Sequence, residues 1–315
     1  MAEIGKDITK AKQLLEAGEL VAIPTETVYG LAGNALDVTA VTKIFVAKNR
    51  PEFDPLIVHI ADRAQVNVYA ENIPELAQQL AERFWPGPLT LVLRRKNNIP
   101  DLVTSGLDTV GIRCPDHALT RELLQSLSFP LAAPSANPFG YVSPTTPAHV
   151  NDQLGDKLSY ILDGGACEVG IESTIIGFEN DAPVVFRMGG LSLEKIEAVV
   201  GKVHIATHSS SNPKAPGQLV SHYAPRKKVI LGDVKNLLKD YAKEVSAVLS
   251  FKTNFNVPHQ FILSPSGNVE EAAQRFFTAL RDLDKLPVDV ILAEQVPNVG
   301  LGRAINDRLH RASAA

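Results

Sequence analysis

At 315 residues the chain is longer than a typical single domain, so two domains are expected. A composition of 45% hydrophobic and 21% charged residues is that of a globular protein with a sizeable core, and with a net charge of -4 the surface as a whole does not advertise nucleic-acid binding. Any anion site must then be a local concentration of cations.

The first predicted element is a helix capped by Asp7, with Ile8, Ala11, Leu14 and Leu15 on one face and Gly18 at its end. Leu20 to Ile23 reads as a short buried strand, Val38 to Ala47 as a helix behind Asp37, and Leu56 to Ile60 as a strand. Lys48 and Arg50 fall between them on a predicted loop closed by two prolines. Pro74 to Phe84 is predicted helical, with proline in its tolerated first turn. Further strands are expected at Leu89 to Leu93, Val110 to Arg113, Leu131 to Ala133, Tyr160 to Leu162, Ser173 to Ile176 and Val184 to Arg187. Ser192 to Val199 closes this part as a helix. Strands do not alternate one for one with helices, which argues for α/β architecture with a twisted mixed sheet and flanking helices.

The segment Thr207 to Pro225 carries four serines and three prolines without periodicity, and residues 207–226 read as a linker. Its second half, "APGQLVSHYAP", contains a histidine and a tyrosine that a passive tether does not need. Strands at Lys228 to Leu231, Ala247 to Phe251, Gln260 to Leu263 and Val288 to Ala293 follow. Helices are expected at Val234 to Ala242, Val269 to Leu283 and Gly302 to Ala312. The expected division is 1–206, the linker, and a small, separately folded, Rossmann-like α/β domain at 227–315.

Longest apolar runs such as Val290 to Leu292 fall far short of the ~20 residues of a membrane helix. The start, "MAEIGKDITK", has no signal- or transit-peptide character. Cys114 and Cys167 match no metal spacing, and a reduced, cytoplasmic protein without membrane attachment is expected. There is no G-x-x-x-x-G-K-S/T loop and no H-E-x-x-H, and "GLGRAI" at Gly300 lacks the third glycine of a dinucleotide fingerprint.

Four cations, Lys48, Arg50, Arg113 and Arg187, lie at strand or loop edges. One such arginine alone reads as a surface salt bridge; four in equivalent settings favour an anion site, where the guanidinium fork suits carboxylate or phosphate. "PTETVYG" offers hydroxyls from Thr25, Thr27 and Tyr29, and "GIEST" from Ser173 and Thr174, either as turn caps or as crevice lining. "APSAN", Ala133 to Asn137, lacks the G-x-S-x-G elbow, so Ser135 suits ligand contact better than nucleophilic attack. His59, inside an apolar strand, reads as a core histidine on pattern alone.

Taken together, "PTETVYGLAGNAL", "AKNRP…DPLIVHI", "WPGPLTLVL", "VGIRCPDH", "APSANPFGYVSPT", "GIESTII", "APG…HYAP" and "GLGRAINDRLHRA" resemble, in order and nearly end to end, the long two-domain form of the threonylcarbamoyl-AMP synthases, the YrdC-like family. Lys48-x-Arg50 and Ser135-x-Asn137 fall on that family's K-x-R and S-x-N signature. The resemblance implies synthesis of L-threonylcarbamoyl-adenylate and pyrophosphate from L-threonine, bicarbonate and ATP. The product would supply a downstream tRNA threonylcarbamoyl transferase. It implies ATP as a substrate with Mg²⁺, no tightly bound organic cofactor, and at most weak direct contact with tRNA. By the same resemblance, Thr27, His59, Arg113, the Ala133 backbone and Ser173 form the L-threonine set. Lys48, Arg50, Asp54, Thr109, Ser135, Asn137, Ser143, Arg187 and Tyr223 form the ATP set, with Lys48 and Arg50 catalytic. The linker is implied to fold over the ligands. The chain departs from the pattern at Asp54, where the family has asparagine, in the linker before His-Tyr, and at "RMGG". The rival from another class is a non-catalytic RNA-binding module using a basic cavity, disfavoured by the net negative charge.

Overall fold

The computed structural model describes residues 1–206, 215–216 and 223–314, so most of the predicted linker lies outside the described residues. Among the described residues twelve strands form one mixed sheet. In chain order they are β1 (Glu3–Gly5), β2 (Val21–Ile23), β3 (Gly30–Asn34), β4 (Ile57–His59), β5 (Ala70–Glu71) and β6 (Leu89–Arg95). They continue as β7 (Thr109–Arg113), β8 (Leu131–Ala132), β9 (Tyr160–Leu162), β10 (Thr174–Glu179), β11 (Ala182–Arg187) and β12 (His204–Ile205). Their spatial order is β1-β9-β2-β3-β8-β4-β7-β6-β10-β11-β12, with β5 beside β6.

This order brings distant segments to one edge. β4 and β7 run parallel, with His59 directly opposite Arg113 at their carboxyl ends. β6 runs antiparallel to β7 and pairs Thr90 with Arg113. β10 is parallel to β6, so it begins at that edge, and antiparallel β11 returns to it, opposing Ile175 to Arg187. One edge thus collects two strand ends, two strand beginnings and a third strand end.

Local chemistry sets the flanking helices. Asp7 accepts from the Lys10 N–H at 3.0 Å and starts the helix Ile8–Glu16. Asp37 accepts from the Thr39 N–H at 2.9 Å and starts the helix Val38–Lys48, which Asn49 ends in the left-handed region at φ 52°. Lys48 is therefore the last residue of a helix and not part of a loop, which corrects the sequence expectation. β3 was not predicted, because "GLAGN" has neither alternation nor β-branched residues; burial on both faces makes it a strand. The helices Ala118–Ser126 and Pro147–Leu154 are likewise absent from the sequence expectation, although Thr146 before Pro147 is a good start signal.

The second sheet, β13 (Lys228–Leu231), β14 (Ser246–Ser250), β15 (Gln260–Ile262) and β16 (Val290–Ala293), is fully parallel in the order β13-β16-β14-β15. It is not packed as a separate body. Val28, Val142 and Ile171 of the first part share one apolar cluster with Phe276, Phe277 and Ile305 of the second. The contact is close enough that a Cβ on Gly170 (φ +73°) would lie 2.4 Å from the Gln274 Cα, so only glycine fits there.

His149, buried in the first turn of the helix Pro147–Leu154, receives the Thr145 N–H on Nδ1 at 3.3 Å. Burial, aided by the charges of Arg281 and Lys285, lowers its pKa to about 4. The unfolded chain, with histidine near 6.5, binds more protons between those values, so stability falls as pH drops from about 6.5 to about 4. His149→Gln should flatten that limb by up to ~1.4 kcal/mol per pH unit in urea unfolding at pH 7.5, 6 and 5. An unchanged slope would contradict the assignment of a buried neutral ring.

Candidate active site

At the sheet edge described above lies a partly open cavity. Its walls include Thr25, Thr27, Val28, Gly30, Arg50, Ile57, His59, Arg113, Ala133, Pro134, Ser135, Glu172, Ser173, Arg187, Pro216 and Tyr223. Pro216 and Tyr223 belong to the segment read as a linker, so two of its described residues wall the cavity.

Three arginines face this space while only 8%, 4% and 5% exposed: Arg50, Arg113 and Arg187. Each is held by groups that the strand ends leave free. Arg50 donates from Nε to the Asp54 carbonyl at 3.0 Å and from Nη2 to the Pro55 carbonyl at 2.9 Å. Arg187 donates from Nε and Nη2 to the Ser173 carbonyl at 3.0 and 2.9 Å, and from Nη2 to the Ser173 hydroxyl at 3.0 Å. Arg113 donates from Nη1 to Thr27 Oγ1 at 2.9 Å and from Nε to the Gly87 carbonyl at 3.4 Å. Burial lowers the pKa of both Arg50 and Arg187, the mark of cations deprived of water.

Carboxylates answer two of the three. Asp54 Oδ2 lies 2.8 Å from Arg50 Nη2, and Glu26 Oε2 lies 2.7 Å from Arg113 Nη2. Both are ion pairs by distance whose angles do not make a well-formed hydrogen bond. Burial raises the Asp54 pKa, opposed by Arg50 and Lys48. Among the described residues no carboxylate forms an ion pair with Arg187, which donates its hydrogen bonds to Ser173.

His59 is buried, with Nδ1 3.2 Å from the Ile57 carbonyl. A carbonyl only accepts, so Nδ1 carries the proton and Nε2 is left as an acceptor. Burial first, and the neighbouring Arg113 charge second, lower its pKa to about 3. The ring is neutral near pH 7.

Of the residues singled out from the sequence, Thr27, His59, Arg113, Ala133, Ser173, Arg50, Ser135, Arg187 and Tyr223 meet in the cavity wall. Five lie outside it. Lys48 Nζ is buried and bonds the Ser135 and Asn137 carbonyls, so it tethers the S-x-N segment. Asp54 is turned to Arg50. Asn137 donates to the Pro138 and Tyr141 carbonyls at 2.8 Å each, and Ser143 donates to Glu172 Oε1 at 2.5 Å. Thr109 starts β7, whose other end carries Arg113; at ~3.3 Å per residue it is about 13 Å away along the strand. Of the other hydroxyls, Thr25 caps its turn, donating to the Val28 carbonyl at 2.7 Å, Tyr29 donates to the Gly165 carbonyl, and Thr174 to the Leu191 carbonyl. Glu26 and Glu172 were missed, although each is an acid within a motif otherwise rich in hydroxyls. Among the described residues no group of three or more His, Cys, Asp or Glu is placed to hold a metal ion, and no helix is long and apolar enough to cross a membrane.

A family model described as telomere recombination (Sua5, YciO and YrdC) matches residues 13–189, and one described as the C-terminal domain of threonylcarbamoyl-AMP synthase matches residues 191–314. Threonylcarbamoyl-AMP synthase of Pyrococcus abyssi is 44% identical over 96% of this chain and 93% of its own length. That of Bacillus subtilis is 40% identical over 97% and 92%. The crystal structure of P. abyssi Sua5 complexed with L-threonine superposes with a TM-score of 0.95 at 41% identity, covering 100% of this chain and 98% of that one. Two consecutive family models, full-length relatives and a shared fold agree with the geometry of the cavity: this chain belongs to the threonylcarbamoyl-AMP synthase family, in its two-domain form.

Proposed function

We propose that the chain synthesises L-threonylcarbamoyl-adenylate from L-threonine, bicarbonate and ATP, releasing pyrophosphate. The observation that carries the reading is the set of three buried arginines around one cavity, of which Arg187 lacks a carboxylate partner among the described residues. Desolvated guanidinium groups bind an entering carboxylate or phosphate strongly, because the cost of removing water from them is already met within the fold.

In this reading Arg113, beside neutral His59 and Thr27, receives the threonine carboxylate, exchanging part of its contact with Glu26 for the ligand. The Ala133 backbone and Ser173 complete that pocket. Arg50 and Arg187 receive ATP phosphates, Ser135 contacts the nucleotide, and Tyr223 closes over it. Lys48 acts from behind, by fixing the carbonyls of residues 135 and 137. Asp54 limits how much of the Arg50 charge the nucleotide meets. Thr109 has no role in this scheme. The carboxylates nearest the cavity, Glu26, Asp54 and Glu172, are each engaged by an arginine, so Mg²⁺ is expected to enter on the ATP phosphates.

The chemistry needs alignment more than a protein nucleophile. The neutral amine of threonine attacks the carbon of CO₂ and loses a proton, or attacks bicarbonate, whose C–O bond breaks so that the departing hydroxide takes the amine proton and leaves as water. One oxygen of the resulting carbamate attacks the α-phosphorus, and pyrophosphate leaves with the electrons of the broken P–O bond. Holding these partners in line is worth ~7–11 kcal/mol of barrier. Walls drawn from Pro216 and Tyr223 would shield the carbamate from water.

Calorimetric titration separates the two halves of this site. Arg50→Ala should weaken Mg·ATP binding about tenfold or more, a loss of ~1.4 kcal/mol per decade, and leave L-threonine affinity within about twofold. Arg113→Ala should do the reverse; normal threonine binding in that variant would refute the carboxylate fork. Lys48→Ala should weaken ATP binding through the displaced loop, and unaltered ATP affinity would remove the tethering role.

The depressed His59 pKa gives a pH test. The ring should stay neutral from pH 5 to 8, so kcat/KM for threonine should show no ionisation near 6.5 that disappears in His59→Gln. Finding such an ionisation would contradict the buried, neutral histidine.

A further inference from the structure

The C-terminal motif "GLGRAINDRLHRA" sends its most deeply buried cation toward the cavity. Arg308, on the helix Gly302–Ser313, is 0% exposed, and its guanidinium nitrogens are all engaged. Nε and Nη2 reach Glu172 Oε2 at 3.3 and 3.2 Å, and Nη1 reaches Asp307 Oδ2 at 2.8 Å. Asp307 is itself fixed by Arg311 Nε, 3.2 and 3.1 Å from its two oxygens. The guanidinium carbon lies over the Tyr223 ring, 5.0 Å from its centre, and Tyr223 stacks on Phe277 at 5.9 Å.

Two of the three groups that Arg308 engages also face the cavity. Tyr223 and Glu172 are in its wall, and the second oxygen of Glu172 accepts the Ser143 hydroxyl at 2.5 Å. Tyr223 is held at φ +65°, a backbone state that a tyrosine seldom adopts unless its surroundings impose it. Arg281, on the helix Val269–Asp284, supports the same segment by donating to the Val142 carbonyl and, at 3.2 Å, to the Ser143 carbonyl. An ion pair serving stability alone could be replaced by apolar packing at little cost, and it would not need to end on two cavity walls.

We infer that Arg308 is a positioning residue of the active site, holding Tyr223 and Glu172 in place so that the second domain completes the nucleotide side of the cavity in cis. The inference rests on the reading of that cavity as the ATP and threonine site. Arginine is required, since one side chain must bring two N–H groups to Glu172, a third to Asp307 and its cation over a ring at once; lysine retains the charge but not that set of donors.

Two measurements on the full-length protein separate the inference from that reading. Hydrogen exchange without ligand reports the positioning: the Ala224 amide, bonded to the Gly140 carbonyl at 2.9 Å, should exchange at least about tenfold faster in Arg308→Lys, with the amides of β13 unchanged. Unchanged exchange at Ala224 overturns the inference whatever the cavity binds. Steady-state pyrophosphate release reports the consequence: KM for ATP should rise about tenfold to a hundredfold while KM for threonine stays within about twofold. Equal changes in both constants, or a lowered melting temperature with both constants unmoved, would make Arg308 a structural tie only. Should Arg308→Lys fail to fold, Arg308→Met combined with Glu172→Gln removes both charges and leaves Asp307 paired with Arg311. The same ATP-selective loss is expected of it, and its absence would count against the proposal equally.

Discussion

Guanidinium groups stripped of water have to be held by something, and here carbonyl oxygens at the ends of strands do most of the holding. Arg50 is fixed by the carbonyls of residues 54 and 55, Arg187 by that of Ser173, and Arg113 in part by that of Gly87. Lys48 is treated in the same way by the carbonyls of residues 135 and 137. Moving such ions out of water costs several kcal/mol each, and neutral dipoles recover only part of it. Asp54 and Glu26 answer Arg50 and Arg113 in part, whereas Arg187 has no carboxylate ion pair among the described residues. The positive charge of the cavity is thus a local feature of where each fork points, set against a net charge that is negative for the chain as a whole.

The mixed sheet is what makes the arrangement possible. A wholly parallel sheet would bring only carboxyl ends of strands to one edge. Inserting antiparallel β6 and β11 among parallel neighbours adds the beginnings of β6 and β10 and the end of β11, and with them Ser173 and Arg187. His59 and Arg113 become immediate neighbours through register alone. The second domain then packs on the loops around Tyr141 to Ser143 and Ile171 to Ser173 through a shared apolar cluster. Its arginines end where the cavity begins.

Much of this was legible in the chain itself. Asp7 and Asp37 mark their helices, the apolar strands Ile57–His59 and Thr109–Arg113 stand out, and the motif order identifies the family. What was not legible depended on pairing across long separations. Nothing local tells that Lys48 turns inward to a segment 87 residues away, or that Glu172 meets an arginine 136 residues on. The glycine-rich strand Gly30–Asn34 hides because tertiary burial, not propensity, makes it a strand. The second domain looked independent because its βα alternation is self-consistent, while the residues joining it to the first, such as Phe277 and Ile305, read as ordinary core.

The most direct test of the account is pyrophosphate release from Mg·ATP by the purified protein, measured with and without L-threonine and bicarbonate, with L-serine in place of threonine as the control. The account predicts release that requires threonine and bicarbonate together and falls sharply with serine. Folded protein that binds ATP but releases no pyrophosphate in response to threonine would contradict it.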